Sequence, residues 1–229
     1  MNNKMAAQLL RDISIQNSEL YAAYAAGRLD AGFVLLLETQ AALRPDLGGP
    51  LLVMDAMGGV FLESEGEAVM SANALGAALA ALEAGPAPVQ RRAASQAGER
   101  LDELIRLPQP LQDFAFEAAA REGWKSHGRG LAVMPLHLDG QTECELLRIE
   151  PGCGAPRHTH RGNEFTLVVA GGFTDEMGSY GPGDVSVAGP EDIHQPVADP
   201  GEVCLALAVR DGGLQFTGML GIVQRLLGK

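Results

Sequence analysis

The sequence predicts an α+β protein, with a helical amino-terminal part, an exposed linker and a carboxy-terminal β-sandwich or barrel. Three observations carry this expectation. Residues 18–84 are rich in Ala and Leu at helical spacing, with capping residues at the segment ends. The stretch GPAPVQRRAASQAG, residues 85–98, loses apolar periodicity and gains Pro, Gly and charge, which suits an exposed linker. From about Gly130 onward, short apolar runs are separated by Gly, Pro and Asp, the pattern of many strands joined by turns. The expected domains are therefore a helical unit at 1–84, a linker at 85–98 and a β domain at 99–229.

Each element follows from local chemistry. Ser18 caps a short helix through Ala26 that stops at Gly27, and Asp30 caps a second one running to about Leu43, where Arg44-Pro45 ends it. A third helix fits Pro50 to Leu62, with the proline in its first turn, and Ser71 caps a fourth through Glu83. Together they make a small four-helix bundle. The stretch Glu99 to Trp124 reads as a short helix and a lead-in strand. The strands fall in GLAVMPLHLDG, ECELLRIEPGCG, FTLVVAGGF, SYGPGDVSVAG and EVCLALAVRDGG.

Composition narrows the function. A chain of 229 residues supplies a core of normal size, and the net charge of −12 with no clustered Lys/Arg face excludes direct binding to a phosphate backbone. A cationic protein partner fits the acidic balance better. The three cysteines, Cys144, Cys153 and Cys204, have no short pairing pattern. The start MNNKMAAQLLRD lacks the order of a signal peptide, and FVLLL is too short to cross a membrane, so a cytoplasmic protein with reduced thiols is expected.

The chain has only five histidines and places two of them in PRHTHRGNE, residues 156–164. On a strand, alternating side chains put His158 and His160 on one face, and Glu164 has the same parity after a turn through Arg161-Gly162. A His-x-His pair alone is met by chance on solvated strands. With the framing glycines Gly152 and Gly171, and with His194 further on, the stretch resembles the four-ligand pattern of the cupin superfamily, three imidazoles and one carboxylate. Such a set suits one divalent ion, with zinc first because four ligands fill its tetrahedral shell, and iron, nickel, manganese or cobalt as alternatives. His127 and His137 match nothing.

The spacing Gly152-x5-His158-x-His160-x3-Glu164-x6-Gly171 resembles the first motif of the cupin superfamily, a double-stranded β-helix or jelly roll. Gly183-x5-Gly189 to His194 is similar to the second motif, with Gly189 and Glu191 in place of its usual Pro and Gly. A helical unit, a linker and a carboxy-terminal cupin together resemble the ChrR family of anti-sigma factors over about residues 18–225. The words that carry the likeness are ELYAAYAAGRLDAGFVLLLETQAAL and RHTHRGNEFTLVVAGGFTDEMGSYGPGDV.

The resemblance implies an extracytoplasmic-function sigma factor as partner of the helical domain, and a cupin-like domain with a zinc site that responds to oxidative stress. It also implies a His-x3-Cys-x2-Cys zinc motif in the anti-sigma domain. Here those positions read Gln40, Arg44 and Leu47, so no metal is expected in residues 1–84. Two rivals stand beside this expectation. One is a cupin metalloenzyme of dioxygenase or isomerase type, in which Glu145, Arg148 and Glu176 project into the barrel. The other is a small-molecule regulator that forms a homodimer through the run Ala72 to Leu82. Cys153, five residues before His158, is the candidate for direct redox sensing.

Overall fold

Asp30 begins the first well-defined helix. In the computed structural model, which describes residues 23–45, 48–84, 100–211 and 214–216, its carboxylate accepts a hydrogen bond from the Gly32 amide at 3.1 Å. That contact satisfies one of the amides that a helix start leaves without a partner. Helix α1, Ala31–Leu43, runs from this cap to Arg44, beyond which Pro45 forbids continuation. Upstream, residues 23–25 are helical and Gly27 stops them at φ +63. The rest of that short segment lies outside the described residues, as does the expected linker.

Helix α2 spans Gly48–Ser64 and α3 spans Ala74–Ala84. Both carry apolar stripes that stay exposed: Val53, Met57, Val60 and Phe61 on α2, and Leu75, Leu79 and Leu82 on α3. Helix α1 behaves differently. Its Leu35, Leu36 and Leu37 are buried in one continuous core with residues of the β domain.

The region from Glu99 to Trp124, expected to hold one short helix and a strand, contains two helices. These are α4, Leu101–Ile105, and α5, Gln109–Arg121, and the lead-in strand follows them. Pro108 and Pro110 break the periodicity seen from sequence, yet a proline in the first helical turn costs nothing, because its missing amide would have had no partner there. Leu111, Ala115, Ala118 and Ala119 then bury one face of α5.

Eleven strands follow among the described residues: β1 Lys125–Gly128, β2 Leu131–Leu136, β3 Glu143–Ile149, β4 His158–His160, β5 Glu164–Ala170, β6 Phe173–Thr174, β7 Ser179–Tyr180, β8 Val185–Ala188, β9 Val197–Ala198, β10 Cys204–Arg210 and β11 Leu214–Phe216. They form a six-stranded sheet ordered β1-β2-β3-β10-β5-β8, a three-stranded sheet β7-β6-β9 and the pair β11-β4. Every pairing is antiparallel. This is the β-sandwich expected from the spaced apolar runs.

The large sheet has two working faces because strand side chains alternate. Leu146, Leu167, Leu205, Leu207 and Val209 point to the outer face, where α1, α4 and α5 cover them in the main core. Glu145, Leu147, Glu164, Thr166, Ala206 and Arg210 point inward and line a chamber of about 470 Å³. No described helix is long and apolar enough to cross a membrane.

Candidate metal centre

Strand β4 is three residues long and carries His158 and His160 at its two ends, so both imidazoles leave the same face. The chain then turns and starts β5 at Glu164, whose backbone pairs with Arg210 and Ala188. His194 reaches the group from a loop that is bonded back to back with His158: each donates its amide to the other's carbonyl at 3.0 Å. Gly152, Gly171 and Gly183, which frame the two motifs, all adopt positive φ, at +70, +66 and +87. A side chain there would be strained, which accounts for glycine at those spacings.

All four expected ligands come together. Their ligand atoms lie within 4.8 Å of one another, and every one of the four residues is buried. The Nε2 of His194 sits 3.0 Å from that of His160 and 3.2 Å from that of His158, and His160 Nε2 is 3.9 Å from Glu164 Oε1. Three imidazole nitrogens converging at this distance have no mutual donor for each lone pair. A divalent cation placed among them would satisfy all of them, so the residues present fit such an ion, and the cluster could hold one.

The surrounding groups orient these ligands. His158 Nδ1 faces the Pro156 carbonyl at 2.7 Å, and His194 Nδ1 faces the Asp175 carboxylate at 3.0 Å. Each contact suits a proton on Nδ1, which leaves Nε2 free to ligate. The Asp175 side chain is shielded from solvent, and its carboxylate is itself fixed by the amides of Met177 and Gly178. Burial would raise its pKa, but the His194 contact and the two amides outweigh that and hold it below the usual carboxylate range.

Glu164 has its oxygens divided. Oε1 accepts from Thr166 at 3.1 Å, and Oε2 accepts from the Arg210 guanidinium at 3.2 Å. Burial works against its charge, yet the neighbouring His160 and Arg210 together keep its pKa below the ordinary value. Arg210, only 4% exposed, also contacts Glu145 and lies 3.6 Å from Glu143. The imidazoles are shifted the other way: burial lowers the pKa of His158 and brings that of His160 down to about 4. Neutral imidazoles are the form that binds a metal ion.

Of the charged residues expected in the barrel, only Glu145 lines the chamber. Arg148 points to the opposite face of β3, held by Glu103 at 2.8 Å and by Glu150 at 2.5 Å, and Glu176 is half-exposed and pairs with Arg157. His127 lines the chamber although its spacing matches nothing. Asp175 and Arg210 were not singled out by sequence. The one available signal for Arg210 was a charge closing the apolar run VCLALAVR at the parity of the inward face.

All three cysteines are free; Cys144 and Cys204 are buried, and burial pushes the Cys204 thiol up to about 12. Cys153 is half-buried beside Gly130. Gln40 and Arg44, which cannot replace zinc ligands, contact the loop before β8 instead: Gln40 donates to the Gly183 carbonyl at 3.1 Å, and Arg44 pairs with Asp184 at 3.5 Å. Leu47 lies outside the described residues.

Comparisons with known proteins agree with this architecture. The ChrR cupin-like domain family matches residues 112–212. The anti-sigma-E factor ChrR of Cereibacter sphaeroides is 33% identical over 201 residues, 88% of this chain and 91% of that protein. Among solved structures, Rhodobacter sphaeroides SigE in complex with the anti-sigma ChrR is similar with a TM-score of 0.63 at 32% identity, over 84% of this chain and 96% of that one.

Proposed function

The chain belongs to the ChrR family of anti-sigma factors, and from that premise we propose that its helical half sequesters an extracytoplasmic-function sigma factor in the cytoplasm while the cupin half responds to an oxidative or small-molecule signal. The observation that carries this reading is the similarity, over 84% of the chain, to an anti-sigma factor found in complex with SigE. Two features of the molecule support it. The apolar stripes of α2 and α3 have no cover among the described residues, and large exposed apolar patches mark protein–protein contact sites. The net charge of −12 complements a basic, DNA-binding partner and would speed its capture.

In this reading His158, His160, Glu164 and His194 hold one divalent ion per chain, zinc before iron, nickel or manganese, and residues 1–84 hold none. The ion supplies a fixed charge that ties β4, β5 and the His194 loop together. Arg210, Thr166, Pro156 and Asp175 present the ligands in the correct charge state.

Co-expression with an extracytoplasmic-function sigma factor, followed by purification and metal analysis, tests the proposal. A stable one-to-one complex carrying one ion per chain is the expected result. Failure to recover any complex overturns the anti-sigma reading, and two ions per chain overturn the metal assignment. An enzymatic reading draws on the same chamber, but its carboxylates, Glu145 and Glu164, are both held by Arg210 rather than left as a general base.

A further inference from the structure

We infer that helix α1 is coupled to the metal chamber, its docking on the back of β5 and β10 and the uptake of a metal ion by the four ligands being linked so that each strengthens the other. The inference rests on the metal-site reading above and names its path of regulation.

The geometry lies in one pair of registers. On β5 and β10, Glu164 is paired with Arg210, and the next pair along is Phe165 with Val209. Side chains alternate, so Glu164 and Arg210 face the chamber, and Phe165 and Val209 face away from it. Helix α1 sits on that second pair. The Phe33 ring stands edge-on to the Phe165 ring with centroids 5.1 Å apart. Gly32 lies so close that an added Cβ would come within 3.2 Å of Val209 Cγ1 and 2.4 Å of Cys144 Sγ.

Cys144 completes the arrangement. Its chain neighbours Glu143 and Glu145 are the other carboxylates around Arg210. Each strand residue beneath the start of α1, namely Cys144, Phe165 and Val209, is therefore the immediate neighbour of a residue in the charge cluster behind the metal ligands. An ion that draws on the Glu164 carboxylate changes the balance of one cation, Arg210, shared among three carboxylates. The strands cannot absorb such a change on one face alone, because packed interiors transmit displacement rather than yield to it.

Both ends of the helix are pinned to the β domain. Asp30 at the start accepts from the Gln141 amide at 2.7 Å and from the Thr142 hydroxyl. Gln40 and Arg44 at the end hold Gly183 and Asp184. Leu35, Leu36 and Leu37 lie between, in the core of the sheet. The helix therefore docks or leaves as a unit, and its carboxy-terminal end leads through Pro45 toward α2, where the exposed apolar stripe begins. Linkage requires reciprocity: if the ion stabilises docking, docking retains the ion.

Amide hydrogen exchange on the full chain, metal-loaded against chelator-stripped, tests the coupling without any substitution. Peptides covering residues 31–43 are expected to exchange about tenfold faster after stripping, within the range of ordinary allosteric coupling, with α3 peptides unchanged as a control. In the reverse direction, Phe33→Ala is expected to release the ion to a chelator about fivefold faster, while Ile105→Ala on the exposed side of α4 leaves release unchanged. If Phe33→Ala does not fold, the exchange measurement on the unsubstituted chain still decides.

Identical α1 exchange in loaded and stripped protein overturns the inference. Sigma capture is assayed separately. Complex formation with metal-indifferent exchange sinks the coupling alone, whereas metal-dependent exchange without any complex sinks the anti-sigma reading alone. A chain that takes up no ion overturns the metal-site reading and the coupling together, while the capture assay alone decides the anti-sigma reading.

Discussion

His160 is an imidazole with a side chain at 0% exposure, and it pays for that burial by losing its affinity for protons. Its pKa falls from 6.5 to about 4, with burial as the leading cause. A lowered imidazole pKa means that the unfolded chain takes up the proton first as pH drops. The associated stability is therefore full above about pH 6.5 and is lost on the way down to about pH 4. Glu164, held below its usual range, acts in the same direction at lower pH. Denaturant titration of metal-free protein is expected to show stability falling across this window, with ~3 kcal/mol from His160 alone. A flat profile would contradict the buried neutral imidazole. Asp175 behind His194 gives a second test at this scale. Asp175→Asn removes the charge that fixes the ring and should weaken metal retention by about 10- to 100-fold in chelator competition. A neutral outcome would mean that the backbone alone orients His194.

At the scale of elements, α5 shows how packing overrides weak local signals. Its proline-interrupted start hid it from periodicity, but its face meets the outer side of β2, where Met134 and Leu136 are buried beside Leu111. Leu111 is fully buried, so Leu111→Ala should cost about 2–5 kcal/mol in equilibrium unfolding, through lost transfer energy and the cavity left behind. A change below about 1 kcal/mol would place this contact outside the cooperative core. Helix α1 makes the complementary point. Its boundaries, Asp30 cap and Arg44-Pro45 stop, are legible in the sequence because capping is settled within a few residues. Its destination is not, since Leu35, Leu36 and Leu37 would pack equally well against other helices.

Considered whole, the molecule buries one apolar surface and leaves another open. The stripes of α2 and α3 have no cover among the described residues, and on α2 Phe61 is 64% and Leu62 76% exposed. Replacing both with Asp is expected to weaken sigma-factor capture at least 30-fold, the effect of losing an interface anchor, while metal content and thermal stability stay at wild-type values. Retained capture would move the partner surface elsewhere. The same view shows how far the sequence reached. Strand parity put His158, His160 and Glu164 on one face, and the likeness to the cupin motifs added His194; the fold brings these four residues together. Local rules also gave the strand runs and three of the helix boundaries to within a few residues. Arg210 and Asp175 lay beyond them. Arg210 reaches Glu164 across 46 residues of chain, through the placement of β10 beside β5, and Asp175 meets His194 across 19. The amino-acid order by itself determined most of the elements, the candidate cluster and the family likeness, since caps, turns and alternation act between near neighbours. Only the tertiary structure decided which face of α1 is buried, and which charges stand behind the ligands, because strand order and register are set by the packing of the whole core.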